Sequence, residues 1–527
     1  MNRIIIDCNK KEGIISPELH SHFIEFLGAC IYDGIWVGEE SEIENYGGIR
    51  KAAADALSAL EPPIIRWPGG CYADTYHWRN GIGERSKRPV TYNENFGTFE
   101  RDDNQFGIHE FMELCRITGA KPWLNINLLS GSVGEMRDWV EYCNRREETE
   151  LSLLRKKNGS PEPFMVEYWG IGNECWAGGG NMTAEMYAEE FRKYSSAMPL
   201  CDSRNPDSGF SMKRIASGAD GNKPKERVEW TRRFFKALGQ FRQPRLDAMD
   251  LHFYNWNVEN PDDRDVAFSE EGWYKVINSC LELEDVLKEQ YDLIQEGLSG
   301  FPEAEGFFPV TEPKCDLVVG EWGNWHGSSF KSRPALWQQC TMRDAITTAL
   351  TLDIFHRNCR LVKAACVAQT VNVLNSLILT QGKQTILTPN YDIFMMYKVH
   401  RGAEKLSLRT ENTSSVISGE GAFGKAGGST LENIHAFASE KGNHVFVNLI
   451  NADMAKEQEI FLEFSDGGKL RPESVRTIFA ENAQDYNSAE EPDKIRSRQG
   501  TLPEEKDGGF LYRAKPASVS VLTFTAV

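Results

Sequence analysis

The chain has 527 residues, 40% hydrophobic and 26% charged, with 59 basic and 77 acidic side chains for a formal net charge of −18. That balance excludes nucleic acid and anionic membrane as partners, since both need clustered Lys and Arg, and no run reaches the length of a transmembrane helix. The length exceeds one ordinary domain and suits a barrel of about 250 to over 400 residues with a smaller companion.

Residues 1–7 show no apolar core of a signal peptide. The twelve cysteines are scattered without a C-x-x-C pair, and Cys115, Cys143, Cys340 and Cys366 sit in apolar stretches. That is cysteine used as a small core residue in a reducing compartment, so a cytoplasmic enzyme is expected. Two short β-like pieces, 3–6 and 13–15, open the chain. A strand–helix alternation follows, with strands expected at 19–27, 63–68, 122–128, 165–174, 214–218, 248–254, 316–321 and 362–369. Apolar residues at three- and four-residue spacing predict helices over 49–60, 106–118, 133–145, 183–197, 226–238, 274–295 and 338–357, with Thr183 as a cap and a last helix over 391–400. Eight strands each followed by a helix is the count of a (β/α)8 TIM barrel, expected over 17–402. An open doubly wound sheet would carry a phosphate-binding glycine loop after its first strand, and none is present.

Beyond residue 402 the pattern changes to short β-rich runs at 414–418, 434–439, 444–451, 458–464, 475–479, 510–513 and 517–525. Gly427-Gly428, Asp466-Gly467-Gly468 and Asp507-Gly508-Gly509 mark turns among them. An all-β sandwich domain is expected over 403–527, joined by strands from 1–16, with polar residues 482–505 as an exposed excursion.

A barrel collects its chemistry at the carboxyl ends of its strands. There the apolar runs give way to Glu25, to Arg66-Trp67-Pro68-Gly69-Gly70, to Asn173-Glu174, to His252-Phe253-Tyr254, to Glu321-Trp322 and to Gln369. Glu174 and Glu321 end strands on opposite sides of the well. Glycoside hydrolysis needs such a pair, one carboxyl protonated for the leaving oxygen and one ionised to attack the anomeric carbon. The abundance of Trp and Tyr beside polar residues suits a sugar ring, with its apolar face and rim of hydroxyls.

These segments, with Glu25-Phe26-Leu27-Gly28-Ala29-Cys30-Ile31-Tyr32, His77-Trp78, Trp169-Gly170-Ile171-Gly172 before Asn173, and Ala368-Gln369-Thr370-Val371-Asn372-Val373, resemble glycoside hydrolase family 51, the α-L-arabinofuranosidases. The resemblance implies a retaining barrel enzyme that needs no cofactor or metal, acts on arabinofuranosyl oligosaccharides and assembles as a homo-oligomer, a hexamer or trimer of dimers. It implies Glu174 as acid/base and Glu321 as nucleophile. It also implies Glu25, Arg66, Asn173, His252, Tyr254, Trp325 and Gln369 as substrate-site residues, with Phe99 as a second aromatic border.

Two departures from the family pattern stand out. Cys71 replaces a usual Asn after the Gly-Gly pair, with Asp74 as a candidate to supply the lost contact, and Gly320-Glu321-Trp322-Gly323-Asn324 replaces a more usual Asp-Glu-Trp-Asn. The rival readings are a retaining β-glycosidase (an endo-glucanase or β-xylosidase) on the same scaffold and a carbohydrate-binding protein without turnover. His20 and His22 share a strand face, but without a clear third ligand they read as structural rather than as a zinc site.

Overall fold

Eight short apolar runs pair in parallel and close on themselves in the computed structural model of the chain, which describes residues 1–201, 210–242, 245–259, 262–301, 314–413, 415–417, 430–465 and 470–526. They are β1 (Ser21–Phe23), β2 (Ile64–Trp67), β3 (Lys121–Ile126), β4 (Tyr168–Ile171), β5 (Lys213–Asp220), β6 (Ala248–Asn257), β7 (Asp316–His326) and β8 (Val362–Val367). The last pairs with the first, Cys366 against Ser21 and Val367 against His22, so the sheet has no free edge. Each of the eight expected strands is present. Within the expected spans His252 stands opposite Glu321; β6 and β7 then run several residues beyond their expected ends, and the extension sets Trp256 opposite Trp325.

Several helices start where short polar side chains satisfy free N–H groups. Thr183 accepts from Met186 N as expected, Ser132 from Glu135 N and Ser269 from Gly272 N. Two differences from the periodicity reading have local causes. The helix expected over 274–295 is two, Glu270–Leu281 and Leu283–Ser299, broken at Glu282. A further helix, Glu150–Lys157, was not foreseen because its single short stripe is interrupted by charge; Thr149 caps it.

The second unit is one ten-stranded, mostly antiparallel sheet. The N-terminal strand Asn2–Ile14 is a single element rather than two pieces, and it lies between Glu404–Glu411 and Gln458–Ser465. The sheet folds over itself. Strands Gly509–Ala514 and Ser518–Ala526 stand six positions apart in it, about 29 Å if flat at the usual strand spacing of about 4.8 Å. Yet Phe510 and Phe524 bring their rings to 5.1 Å. Ile4, Ile6, Leu406, Val447, Leu462 and Leu522 fill the space between as a second core. Asp507-Gly508 turns the chain with φ 49° and 80°. Gly427-Gly428, Asp466-Gly467-Gly468 and the ends of the 414–418 run lie outside the described residues.

The segment 482–505 is docked rather than a free excursion. Asn487 and Ile495 are buried, Asn487 Nδ2 donates to Leu387 O, and Gln339 Nε2 donates to Asn487 O. The two units share a buried seam through the helix Met342–Arg357, which is buried on nearly every face, its polar residues included. Across that seam Asn448 Nδ2 donates to Asp353 Oδ1 at 2.7 Å, and Trp273 Nε1 to Ala452 O at 2.9 Å.

Candidate active site

β2 delivers Arg66 fully buried to the centre of the well. Its Nη1 donates to Glu321 Oε1 at 2.7 Å and its Nη2 to Asn173 Oδ1 at 2.6 Å, with the guanidinium 4.4 Å over the Phe23 ring. The glycines that follow are there for space. A Cβ on Gly70 would lie 2.9 Å from Glu321 Oε1.

β4 stops at Ile171, and the chain then turns sharply, Gly172 at φ 81° and Glu174 at φ 41°. A non-glycine residue held in that region costs on the order of 1–3 kcal/mol and persists where its surroundings over-determine it. Here Gly179 N donates to Glu174 O and Met182 N to Cys175 O, so the glycine loop folds back under the carboxylate. It fits only because residue 179 has no side chain: a Cβ there would meet Asn173 O at 1.7 Å.

β6 and β7 supply the rest. Tyr254 OH donates to Glu321 Oε2 at 2.6 Å. His252 Nδ1 lies 2.9 Å from Glu174 Oε1 and 3.6 Å from Glu321 Oε1, and its Nε2 lies 3.1 Å from Asp250 Oδ2. One ligating atom each of Glu174, His252 and Glu321 fall within 4.8 Å of one another.

The two carboxyls stand in contrasting fields. Burial raises Glu174, and the Glu321 charge adds to it against the hydrogen bond from His252. Burial acts on Glu321 in the same sense, but His252, the Arg66 cation and the hydrogen bonds of Arg66 and Tyr254 outweigh it and hold Glu321 below its ordinary value. Burial would lower His252; the charges of Glu321 and Asp250 and hydrogen bonds to Asp250 and Glu174 hold it well above its ordinary range. Two carboxyls pushed apart in this way are an acid and a nucleophile.

At the opposite wall Gln369 Nε2 donates to Glu25 Oε2 at 2.8 Å, while Tyr72 N and Asn95 Nδ2 both donate to Glu25 Oε1 at 3.0 Å. Burial, then the Glu321 charge, pushes Glu25 up to about 7. Arg66 is committed to Glu321 and Asn173, so Glu25 is not its scaffold partner. Gln369 Oε1 has no protein partner among the described residues and is placed to accept from a hydroxyl.

Trp325 borders the well, with Tyr254, Trp256 and Phe330 rings 5.1, 5.2 and 5.4 Å away. From the hairpin over residues 91–102 it is Phe96, at 5.9 Å, that meets Trp325. Phe99, the expected second border, is 60% exposed. Cys71 Sγ sits 4.0 Å from both Glu174 Oε2 and Asn173 Nδ2, and burial, with the surrounding carboxylates, keeps it a neutral thiol. Asp74 is 1% exposed and its Oδ1 accepts from Leu128 N, while its Oδ2 has no protein partner among the described residues.

All nine expected site residues therefore meet in one well. His20 and His22 do not converge on a ligand: His20 Nε2 faces His356 Nε2 at 2.9 Å, and His22 Nδ1 faces Thr370 Oγ1. Three site residues escaped the sequence reading. Asp250 shares a strand face with His252 at two-residue spacing, a signal that was available. Asn95 and Phe96 lie in a stretch without periodicity, where nothing marks them.

Two families match the chain: α-L-arabinofuranosidase 1 domain over residues 56–270, and α-L-arabinofuranosidase C-terminal domain over residues 320–518. An intracellular exo-α-L-arabinofuranosidase of Bacteroides ovatus is 36% identical over 507 residues, covering 94% of this chain and 90% of its own. Among solved structures, a GH51 arabinofuranosidase from Xanthomonas axonopodis pv. citri superposes with a TM-score of 0.88 at 28% identity, covering 99% of both chains. An α-L-arabinofuranosidase from Thermotoga maritima, solved with arabinose, superposes at 0.82 and 27% identity, also over 99% of both.

Proposed function

The chain belongs to the α-L-arabinofuranosidases of glycoside hydrolase family 51, and we propose that it is a retaining, exo-acting enzyme that releases terminal arabinofuranose by double displacement, with Glu321 as nucleophile and Glu174 as acid/base. The observation that carries this reading is the approach of Glu174 and Glu321 oxygens to within 4.8 Å. Retaining enzymes hold their carboxyls about 5–5.5 Å apart, and inverting ones leave about 6.5–9.5 Å for a water between.

In the first step Glu321, ionised between Arg66 and Tyr254, attacks the anomeric carbon while Glu174 gives its proton to the leaving oxygen. The glycosyl–Glu321 ester forms and the glycosidic bond breaks. In the second, Glu174, now a base, takes a proton from water, whose oxygen displaces Glu321. His252, bonded to Glu174 Oε1, is placed to stabilise Glu174 in its ionised intervals. Asn173, with Oδ1 held by Arg66, keeps Nδ2 for the sugar 2-hydroxyl, a contact that strengthens as positive charge develops at the anomeric carbon. Glu25 and Gln369 bind the remaining glycon hydroxyls, and Trp325 with Phe96 walls the ring. Both reacting groups are on the chain, so the reaction calls for no cofactor.

Burial of Glu25 and Gln369, 4% and 2% exposed, encloses the glycon end and supports an exo mode. Arabino-oligosaccharides and arabinoxylan fragments are the proposed substrates. Among the described residues no helix is long and apolar enough to cross a membrane. Cysteine usage and the intracellular relative support a cytoplasmic setting. By family likeness the proposed assembly is a homo-oligomer.

Release of nitrophenol from 4-nitrophenyl α-L-arabinofuranoside by wild type, lost in Glu321→Ala, tests the assignment. Turnover of the β-D-xyloside or a β-glucan instead would favour the β-glycosidase rival. Tight binding of arabino-oligosaccharides without turnover would make the chain a binding protein.

A further inference from the structure

Gly320, immediately before the nucleophile, leaves a gap that another strand fills. A Cβ built on Gly320 would lie 2.3 Å from Asp250 Oδ2 and 2.5 Å from Asp250 Oδ1, so the carboxylate of Asp250 occupies the space where a side chain at 320 would project. The arrangement is fastened at both ends. Gly320 N donates to Asp250 Oδ1, and His252 Nε2 donates to Asp250 Oδ2 at 3.1 Å. With Nε2 tied, His252 Nδ1 is aimed at Glu174 Oε1 and lies beside Glu321 Oε1. Asp250 is 7% exposed, and a bulge in the β6–β7 pairing between Asp250 and His252 brings the imidazole opposite Glu321. It touches neither reacting carboxylate through any hydrogen bond of its own.

We propose that Asp250 is a positioning residue for the acid/base: it supplies from β6 the carboxylate that Gly320 cannot carry on β7, and through it fixes which ring nitrogen of His252 faces Glu174 and Glu321. The inference rests on the glycosidase reading above and deepens it. Any side chain at residue 320 would enter that same space, so Gly320 and Asp250 fit only as a pair. His252 is faced by Glu174 from the end of β4, Glu321 from β7 with Arg66 of β2 behind it, Asp220 from β5, and Asp250 from its own strand. Removing the Asp250 charge therefore weakens the hold on the His252 proton.

The test is Asp250→Asn, which keeps an acceptor for Gly320 N but lacks the charge, measured as kcat/KM against pH on 4-nitrophenyl α-L-arabinofuranoside with a thermal melt to confirm folding. The expected result is a loss of about tenfold to a hundredfold, as for other partners that orient a functional imidazole, together with an alkaline limb, set by the Glu174 proton, moved to higher pH by about one unit, because a less firmly protonated His252 lowers Glu174 less. Unchanged activity, or a loss with the limb where wild type has it, overturns the proposal; the latter is what a merely structural role gives. The swap D250G/G320D restores the carboxylate from the other strand and recovers most of what D250G loses; a swap no better than D250G overturns the shared-space claim. Independently of any variant, 15N-histidine spectra of wild type, with His252 assigned by its loss in H252Q, show a proton on Nε2; an unprotonated Nε2 overturns the assignment. Wild type is the control: if it does not turn over the furanoside, the glycosidase reading fails, whereas an active wild type with an unshifted Asp250→Asn fails this inference alone.

Discussion

Tyr254 OH donates to Glu321 Oε2 at 2.6 Å, on the oxygen that Arg66 leaves free. Neither oxygen of the nucleophile is left to water, and both contacts favour its ionised form. Tyr254→Phe removes one of them with little change of shape. Because that hydrogen bond lowers the Glu321 pKa, its loss raises it, and the acid limb of the kcat/KM profile moves to higher pH. The expected cost is about ten- to a hundredfold in kcat/KM, roughly 1.5–3 kcal/mol for a hydrogen bond to a charged group. An unmoved acid limb would show that Tyr254 does not tune the nucleophile.

Glu174→Ala should divide substrates by leaving group. An aryl arabinofuranoside with an acidic phenol needs little proton donation in the first step, while an oligosaccharide needs it fully. We expect turnover of the oligosaccharide to fall by at least about a thousandfold. Azide should restore turnover of the aryl substrate and yield the arabinosyl azide, since it attacks the ester without a base. Equal losses on both substrates with no azide rescue would remove Glu174 from the acid/base role.

Phe96, in the turn of the 91–102 hairpin, and Trp325, near the end of β7, form a wall from two distant parts of the chain. Phe96→Ala opens it from the hairpin side and leaves the carboxyl pair untouched. KM for oligosaccharides should rise by about three- to tenfold, the scale of one aromatic contact of about 1 kcal/mol, with kcat within twofold. Steady-state kinetics on an arabinotriose decides it. Phe99→Ala, at an exposed position, should leave both constants near wild type.

The seam between barrel and sheet carries a pH signature. His400, between Ser439 Oγ and Asn448 Oδ1, is lowered by burial to about 4 from an ordinary 6.5. A lowered folded pKa means the unfolded chain takes up a proton that the native state does not. The His400 contribution is therefore complete above about pH 6.5 and drains away as pH falls toward 4. In His400→Gln that drain is absent, so the stability gap between wild type and variant should narrow between pH 7 and pH 4.5 by roughly 2.5 kcal/mol. Denaturant unfolding at pH 7 and pH 4.5 measures it, and a gap independent of pH would contradict a neutral, buried His400.

The barrel was legible because its strands are apolar runs that end in polar residues, a pattern written locally. Glu174 and Glu321 stood out for the same reason, as carboxyls with no structural use at the tips of buried strands. Asp250 did not: it reads as one more acid in an alternating strand, and the space it fills belongs to Gly320, seventy residues on and one strand over. Asn95 is a site residue only because the 91–102 hairpin bends back to Glu25, a contact across seventy residues with no local mark. The break at Glu282 was invisible because Leu281 and Leu283 continue the apolar pattern on either side. The fold-over of the ten-stranded sheet depends on pairing residues 2–7 with 460–465, which short-range pattern cannot encode.

The central claim is the double displacement, and the anomer first released tests it most directly. In 1H NMR of 4-nitrophenyl α-L-arabinofuranoside mixed with enzyme, the anomeric signal of the α-furanose should appear first, ahead of the forms that mutarotation brings. A β-furanose as the first product would mean a single displacement by water. The approach of Glu174 and Glu321 oxygens to within 4.8 Å would then not be the working geometry of the site.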